Sequence, residues 1–408
     1  MSQEINILNK KLNAAANRLE GQPMFKLLDR IKALEQKGKD IIHFEIGDPD
    51  FATPEPVVDS CIQALRDGQT HYVSSFGLEE LREAVADYTV DDLGFRPRLH
   101  QILISPGANA LIYFVIQCLV KSDEEVIVPD PAFSTYYSVL HFLNIKAVGV
   151  ELKEENDFRM NPEDIRKKIT PKTKLIIINS PHNPTGAVMT QEEINAVYQI
   201  AAEHDLFILS DEIYRRMSYD AQPASPCIND GCRERTIMMT GFSKAFAMTG
   251  WRLGYMIGPE FLVEKISLLL QTIVSCVPPF IQKAGVTVLK DHLDESAMML
   301  LELKARKDLI VDGLNQIPGI SCLDPQGAFY VFPNIKGTGL TSEAFAELML
   351  KEGGVALLPG CHFGRSAEGY VRLCFAQSID DIHEGLSRMR RVLKNHSSLA
   401  LDPVLQGE

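Results

Sequence analysis

Through the middle of the chain, short uninterrupted apolar runs alternate with stretches whose apolar residues recur every three or four positions. The runs EEVIVPDP (124–131), KLIIINSP (174–181), LFILSDE (206–212), TIMMTGFS (236–243) and GYMIG (254–258) predict strands buried on both faces. Between them, LEELREAVADYTVDDLG (78–94) and TQEEINAVYQIAAEHD (190–205) carry helical periodicity. The second opens with Thr190 and Glu193 at capping-box spacing. Strand, helix, strand in this order predicts an α/β domain around a largely parallel sheet. After residue 285 the texture changes. GAFYVFPNI (327–335), GGVALLPG (353–360) and GYVRLCFAQ (369–377) predict strands of a smaller α+β unit, followed by a helix over 378–396 and a polar tail. The first 40 residues, broken by GQP and GKD, read as an arm and a helix packed elsewhere.

Composition narrows the class without naming it. At 408 residues the chain is long for a single hydrophobic core. A net charge of −13 speaks against a nucleic-acid footprint, which is normally basic. The eight cysteines are scattered, and no His/Cys cluster completes a metal set around the nearest pair, Cys227 and Cys232. They read as reduced core thiols of an intracellular protein. The N-terminus lacks the apolar centre of a secretory signal, and no run is long enough to span a bilayer. The expectation is a cytoplasmic protein without nucleic-acid or membrane partners.

Candidate chemistry lies at the strand ends. In open α/β sheets ligands bind outside the carboxyl ends of the strands, and three consecutive ends carry NSPHNPTG, SDEIY and GFSK. They deliver Asn183, Asp211 with Tyr214, and Lys244 to one edge. Lys244 stands in FSKAFAMTGWRLGYMIG (242–258), where two readings compete. It can snorkel to solvent beside core Phe242 and Phe246. Alternatively, a dry pocket depresses its basicity and makes it a nucleophile and base.

The ordered segments IGDPDFATPEPV (46–57), HYVSSFGLEELREAV (71–85), ISPGANALIYF (104–114), NSPHNPTG (179–186), SDEIY (210–214), SKAFAMTGWRLGY (243–255) and YVRLCFA (370–376) decide between them. Together they resemble the fold-type I, pyridoxal-phosphate (PLP)-dependent aminotransferases of class I/II. The resemblance spans roughly residues 20–395. It implies an α/β fold with a large PLP-binding domain (48–285), built on a mostly parallel sheet, and a smaller α+β domain (286–408), with residues 1–47 forming an arm and part of the small domain. It further implies that Lys244 holds PLP as a Schiff base and moves a proton, and that Asp211 pairs with the ring nitrogen. Tyr214 and Asn183 would bond the ring oxygen, and Phe133 would stack on the ring. Ala108, Asn109, Ser243 (or Thr240) and Arg252 would hold the phosphate. Tyr72 would reach the neighbouring subunit's phosphate, which implies a homodimer with shared sites. Gly47, Asn183 and Arg372 would bind the substrate, Arg372 gripping its α-carboxylate and Gly47 letting the backbone approach that group. His182 reads as structural.

Ping-pong transamination between an amino acid and a 2-oxo acid is the expected reaction. The same fold also serves decarboxylation, β-elimination, cyclopropane formation and oxidation, and a non-catalytic PLP-binding regulator is a further alternative. Acid-specific members of the resembled family place an extra cation at either of two positions. Here no arginine lies between Arg252 and Arg306, and Ala108 stands where the other cation would be. A neutral or apolar side chain, or a mixed repertoire, is therefore expected, unless Lys283, Arg18 or Arg30 swings in.

Overall fold

The computed structural model describes residues 12–19, 21, 23–291 and 294–400. The start of the expected arm and the polar tail beyond residue 400 lie outside them. Seven strands form one sheet: β1 (Ile102–Ser105), β2 (Glu125–Asp130), β3 (Lys146–Glu151), β4 (Thr173–Asn179), β5 (Phe207–Asp211), β6 (Thr236–Gly241) and β7 (Gly254–Ile257). Their order is β1-β7-β6-β5-β4-β2-β3. β7 runs antiparallel to β1 and β6, and the remaining pairs are parallel. The reversal follows from the link. Only residues 242–253 separate β6 from β7, with a single helical turn at Thr249–Trp251, and a parallel return needs a crossover helix.

Helical layers cover both faces, which is why the strands are apolar without alternation. On one face Leu175, Ile177, Leu209 and Met239 pack with the helices Ala108–Leu119, Ser134–Leu143 and Glu260–Val274. On the other, Ile176, Ile178 and Ile208 pack with the helix Gln191–Glu203. Farther along that second face, Ile102, Ile104 and Met238 pack with Glu79–Leu93 and Pro279–Lys290. The capping box is present. Thr190 Oγ1 accepts from the Glu193 amide at 3.2 Å, and Glu193 accepts from the Thr190 amide at 2.9 Å.

A separate core gathers the C-terminal elements. Strand Leu358–Pro359 pairs antiparallel with Val371–Cys374, which pairs with Tyr330–Val331. Ile42–His43 pairs parallel with Val355–Ala356. The helices Asp294–Asn315, Ser342–Leu348 and Ile379–Ala400 close this core, and Ile42 and Phe44 are buried in it.

Several local expectations need correction. β1 and β3 were not legible as strands. β1 is four residues long, and β3 is a half-exposed edge strand with no continuous apolar run. The stretch 353–360 is not one strand but two, because the chain changes partner around Leu357. Only Tyr330–Val331 of 327–335 is regular strand. The last helix continues to Ala400.

Replacing Thr190 with alanine removes one side of the capping box. The expected result is a loss of about 1 kcal/mol, with faster hydrogen exchange at the Glu193 amide. Unchanged exchange there would show that the helix start is held by packing alone.

Candidate active site

Because β1, β2, β4, β5 and β6 all point one way, their carboxyl ends open onto a single edge. β7 points the other way, so its amino end arrives there with Arg252 just before it. A cavity of about 430 Å³ lies at this edge. It is lined by Ala108, Asn109 and Phe133 from the turns after β1 and β2, and by Asn183, Asp211 and Tyr214 after β4 and β5. Ser243, Lys244 and Arg252 from the β6–β7 link complete that wall, and Gly47 and Arg372 face them. Tyr72 is the exception among the expected site residues, being 88% exposed and outside the cavity lining.

Phe242 and Phe246 are buried with ring centroids 5.9 Å apart. They fix the turn that aims Lys244 inward, so the aromatic flanks are core while the lysine is not a snorkel. Its Nζ donates to the Gly47 carbonyl at 2.5 Å and lies 5.6 Å from the centre of the Phe329 ring. Desolvation pulls its pKa down to about 8, against the opposing field of Asp48. That leaves an appreciable fraction of neutral amine near physiological pH.

Asp211 shows the opposite shift from the same cause. Burial pushes its carboxyl up to about 6, although Tyr136 donates a 2.5 Å hydrogen bond and the Ile213 amide a 3.2 Å one. A cation placed in the cavity against this carboxylate would restore its charge. Asn179 ties the neighbouring loop down. Its amide donates to the Asp211 carbonyl at 3.0 Å and its oxygen accepts from the Asn183 backbone at 2.9 Å. His182, in the same loop, bonds Thr185 at 2.8 Å and is held neutral by burial, with its pKa lowered to about 3.

At another part of the cavity the helix Ala108–Leu119 begins after Gly107, with no side chain capping its first amides. A Cβ at Gly107 would lie 2.5 Å from Arg252 Nη2. The guanidinium thus rests directly against the turn, and an anion there would meet a helix N-terminus and an arginine together. Of the two candidate hydroxyls, Ser243 lines the cavity, whereas Thr240 donates to the Glu212 carbonyl at 3.1 Å.

Arg372, 3% exposed, donates to Asn183 Oδ1 at 3.1 Å and to the Glu45 carbonyl at 2.6 Å. Its Nε is buried without a partner among the described residues. A buried guanidinium with spare N–H capacity is suited to a carboxylate. Gly47 is required by contact, since a Cβ there would fall 1.9 Å from Tyr330 Oη.

Met24, Ile112, Asn179, Ile213 and Tyr330 also line the cavity, and sequence reasoning did not single them out. Asn179 had a usable signal, as the polar end of an apolar strand. Tyr330 and Met24 had none, because each sits in a run that reads as ordinary core or helix. The three cations held in reserve are engaged elsewhere. Lys283 pairs with Glu80, Arg30 with Glu347 at 2.6 Å, and Arg18 with the carbonyls of His141 and Phe142.

Comparison with known proteins gives the family. The profile of the family "Aminotransferase class I and II" matches residues 39–389. An aromatic-amino-acid aminotransferase 2 from Thermococcus litoralis is 42% identical over 90% of this chain and 95% of its own length. An aspartate aminotransferase from Pyrococcus abyssi is 41% identical over 87% and 92%. The crystal structure of an aromatic aminotransferase from Pyrococcus horikoshii OT3 superimposes with a TM-score of 0.86 at 40% identity, covering 90% of this chain and 99% of that one. The chain belongs to the class I and II aminotransferases and is a transaminase of the fold-type I group. No helix among the described residues is long and apolar enough to cross a membrane.

The depressed Lys244 amine has a thermodynamic signature. Its folded-state pKa, about 8, lies below the ordinary 10.5, so burial opposes the charged form. The resulting penalty is full below pH 8 and fades as pH rises towards 10.5. Cofactor-free Lys244→Met should therefore resist urea better than the parent protein at pH 7, and the advantage should shrink by pH 10. An advantage independent of pH would place the amine in water.

Proposed function

We propose that the cavity binds pyridoxal 5′-phosphate and carries out ping-pong transamination, with Lys244 as the covalent anchor and the proton carrier. The observation that carries the reading is the convergence, around one cavity, of a lysine with depressed basicity, a buried carboxylate, an arginine against a helix N-terminus and a second, under-bonded arginine. The residues fit the group's distinct chemical parts. Arg252, the Ala108 and Asn109 amides and the Ser243 hydroxyl would hold the phosphate. Asp211 would pair with the ring nitrogen, Asn183 and Tyr214 would bond the ring oxygen, and Phe133 would stack on the ring. When bound, the cofactor supplies an electron sink for the charge left when the amino acid's Cα loses its proton.

The protein's own groups do the rest. Lys244 Nζ, neutral in part near pH 8, accepts that proton and returns it to a neighbouring carbon. Arg372 fixes the α-carboxylate bidentately and so orients the Cα–H bond towards the lysine. Gly47 allows the close approach beside it. Residues 1–47 with 286–408 are read as the unit that brings Arg372 to a cofactor held by residues 48–285. Exposed Tyr72 belongs, in this reading, to the site of a second subunit in a homodimer, and the enzyme is cytoplasmic.

The distal substrate pocket is read as apolar. Among the described residues lining the cavity, the cationic side chains are Lys244, Arg252 and Arg372, each already given a task. Met24, Ile112, Ile213 and Tyr330 supply apolar surface. The aromatic aminotransferases among the relatives support an aromatic or aliphatic donor, and the aspartate aminotransferases support a mixed repertoire.

Borohydride reduction of the PLP-loaded protein, followed by peptide mapping, should place the label on Lys244 alone. A label on any other lysine would remove the anchor assignment.

Substrate choice is tested by kcat/KM for phenylalanine, leucine, methionine and alanine against aspartate. Phenylalanine or an aliphatic donor should equal or exceed aspartate. A preference for aspartate above about a hundredfold, some 2.7 kcal/mol in the transition state, would mean that a further cation reads the side chain.

A further inference from the structure

We propose that Tyr330 is a positioning residue that couples Arg372 to Tyr214, holding the first through its ring and the second through its hydroxyl. The inference rests on the reading of the cavity given above. Tyr330 is 2% exposed and pairs with Cys374 across the short antiparallel ladder, so it shares a sheet face with Arg372, two residues before Cys374. The Arg372 guanidinium carbon sits 4.4 Å from the centre of the Tyr330 ring and 5.0 Å from that of Phe363. Two aromatic rings thus restrict the guanidinium's orientation, while its hydrogen bonds to Asn183 and Glu45 set its reach.

The ring alone does not explain a tyrosine. Its Oη lies 2.8 Å from Tyr214 Oη, and the two rings meet edge to face at 5.7 Å. Gly47 leaves the space that the hydroxyl needs. Each phenol has one proton to give. Burial raises both phenol pKa values, which keeps both groups protonated at working pH. When Tyr214 donates into the cavity, its oxygen can only accept from Tyr330. Tyr330 then becomes the donor in the pair and strengthens Tyr214 as a donor in turn. One side chain therefore links the grip on the α-carboxylate to the electrostatics at the cofactor's ring oxygen.

The test uses the PLP-loaded enzyme and the pH midpoint of its visible absorbance change, a readout separate from turnover. Tyr330→Phe keeps the ring and deletes the hydroxyl. Its midpoint should rise by about half a pH unit, the size of one hydrogen bond's contribution, while KM for amino acids changes less than about twofold. In a Tyr214→Phe background the same substitution should move the midpoint by no more than about 0.1 unit, because its route is gone. Tyr330→Leu removes the ring as well and should raise KM for every amino-acid donor by about fivefold or more. Gly47→Ala, whose Cβ would displace the hydroxyl, should reproduce the midpoint shift if Tyr330→Phe does not accumulate as folded protein. An unmoved midpoint in both Tyr330→Phe and Gly47→Ala would overturn the proposal, as would an equal shift with and without Tyr214. If the parent protein bound PLP without a visible band linked to Lys244, the cofactor reading itself would fall and this coupling with it.

Discussion

The registration of neighbouring parallel strands is the constraint on which the rest depends. Asn179 at the end of β4 lies opposite Asp211 at the end of β5, which lies opposite Met239 in β6. All three line the cavity. Residues paired in this way share a face of the sheet, and a slip of one residue would turn Asp211 into the opposite helical layer. The apolar runs on both faces of the strands set this register through two packed layers, so the site inherits its precision from the core. β7 adds what the parallel strands cannot, because its reversed direction brings Arg252 to the same edge.

Desolvation then sets the chemistry. In one cavity it lowers the affinity of Lys244 for its proton and raises that of Asp211. The lysine becomes available as a base, and the carboxylate favours a cationic partner. Neither shift requires an unusual neighbour. Both follow from taking charges out of water beside apolar walls. The arginines are different, since guanidinium stays charged, and the fold provides each with contacts that leave part of its hydrogen-bonding capacity open.

Much of the large sheet and the strand-end residues Asn183, Asp211, Tyr214 and Lys244 were legible because their signals are local, whereas the other expected cavity residues came from the family resemblance. A buried strand is an apolar run, and a strand end bearing Asp, Asn or Lys stands out against it. The turn signals of NSPHNPTG and SPGAN mark where loops must be tight. Edge strand β3 was not legible, because a half-exposed strand lacks the continuous run that announces a buried one. The C-terminal strands were overestimated in length, since pairing partners that change along the chain leave no trace in residue type. Tyr330 and Met24 illustrate a second limit. Their importance comes from what they touch across long sequence separation, and a tyrosine in an apolar strand reads as core wherever it points.

Arg252 has a left-handed backbone, with φ of 54° and ψ of 50°, and Ala247 and Ala328 also have positive φ, at 50° and 58°. Such a backbone favours glycine and costs other residues about 1 kcal/mol or more. At position 252 the local chain and the chemistry therefore ask for different amino acids. Any procedure that ranks substitutions by folding stability alone would be drawn towards glycine there, and would remove the guanidinium that rests against the Gly107 turn. At this position, therefore, folding stability by itself does not account for an arginine.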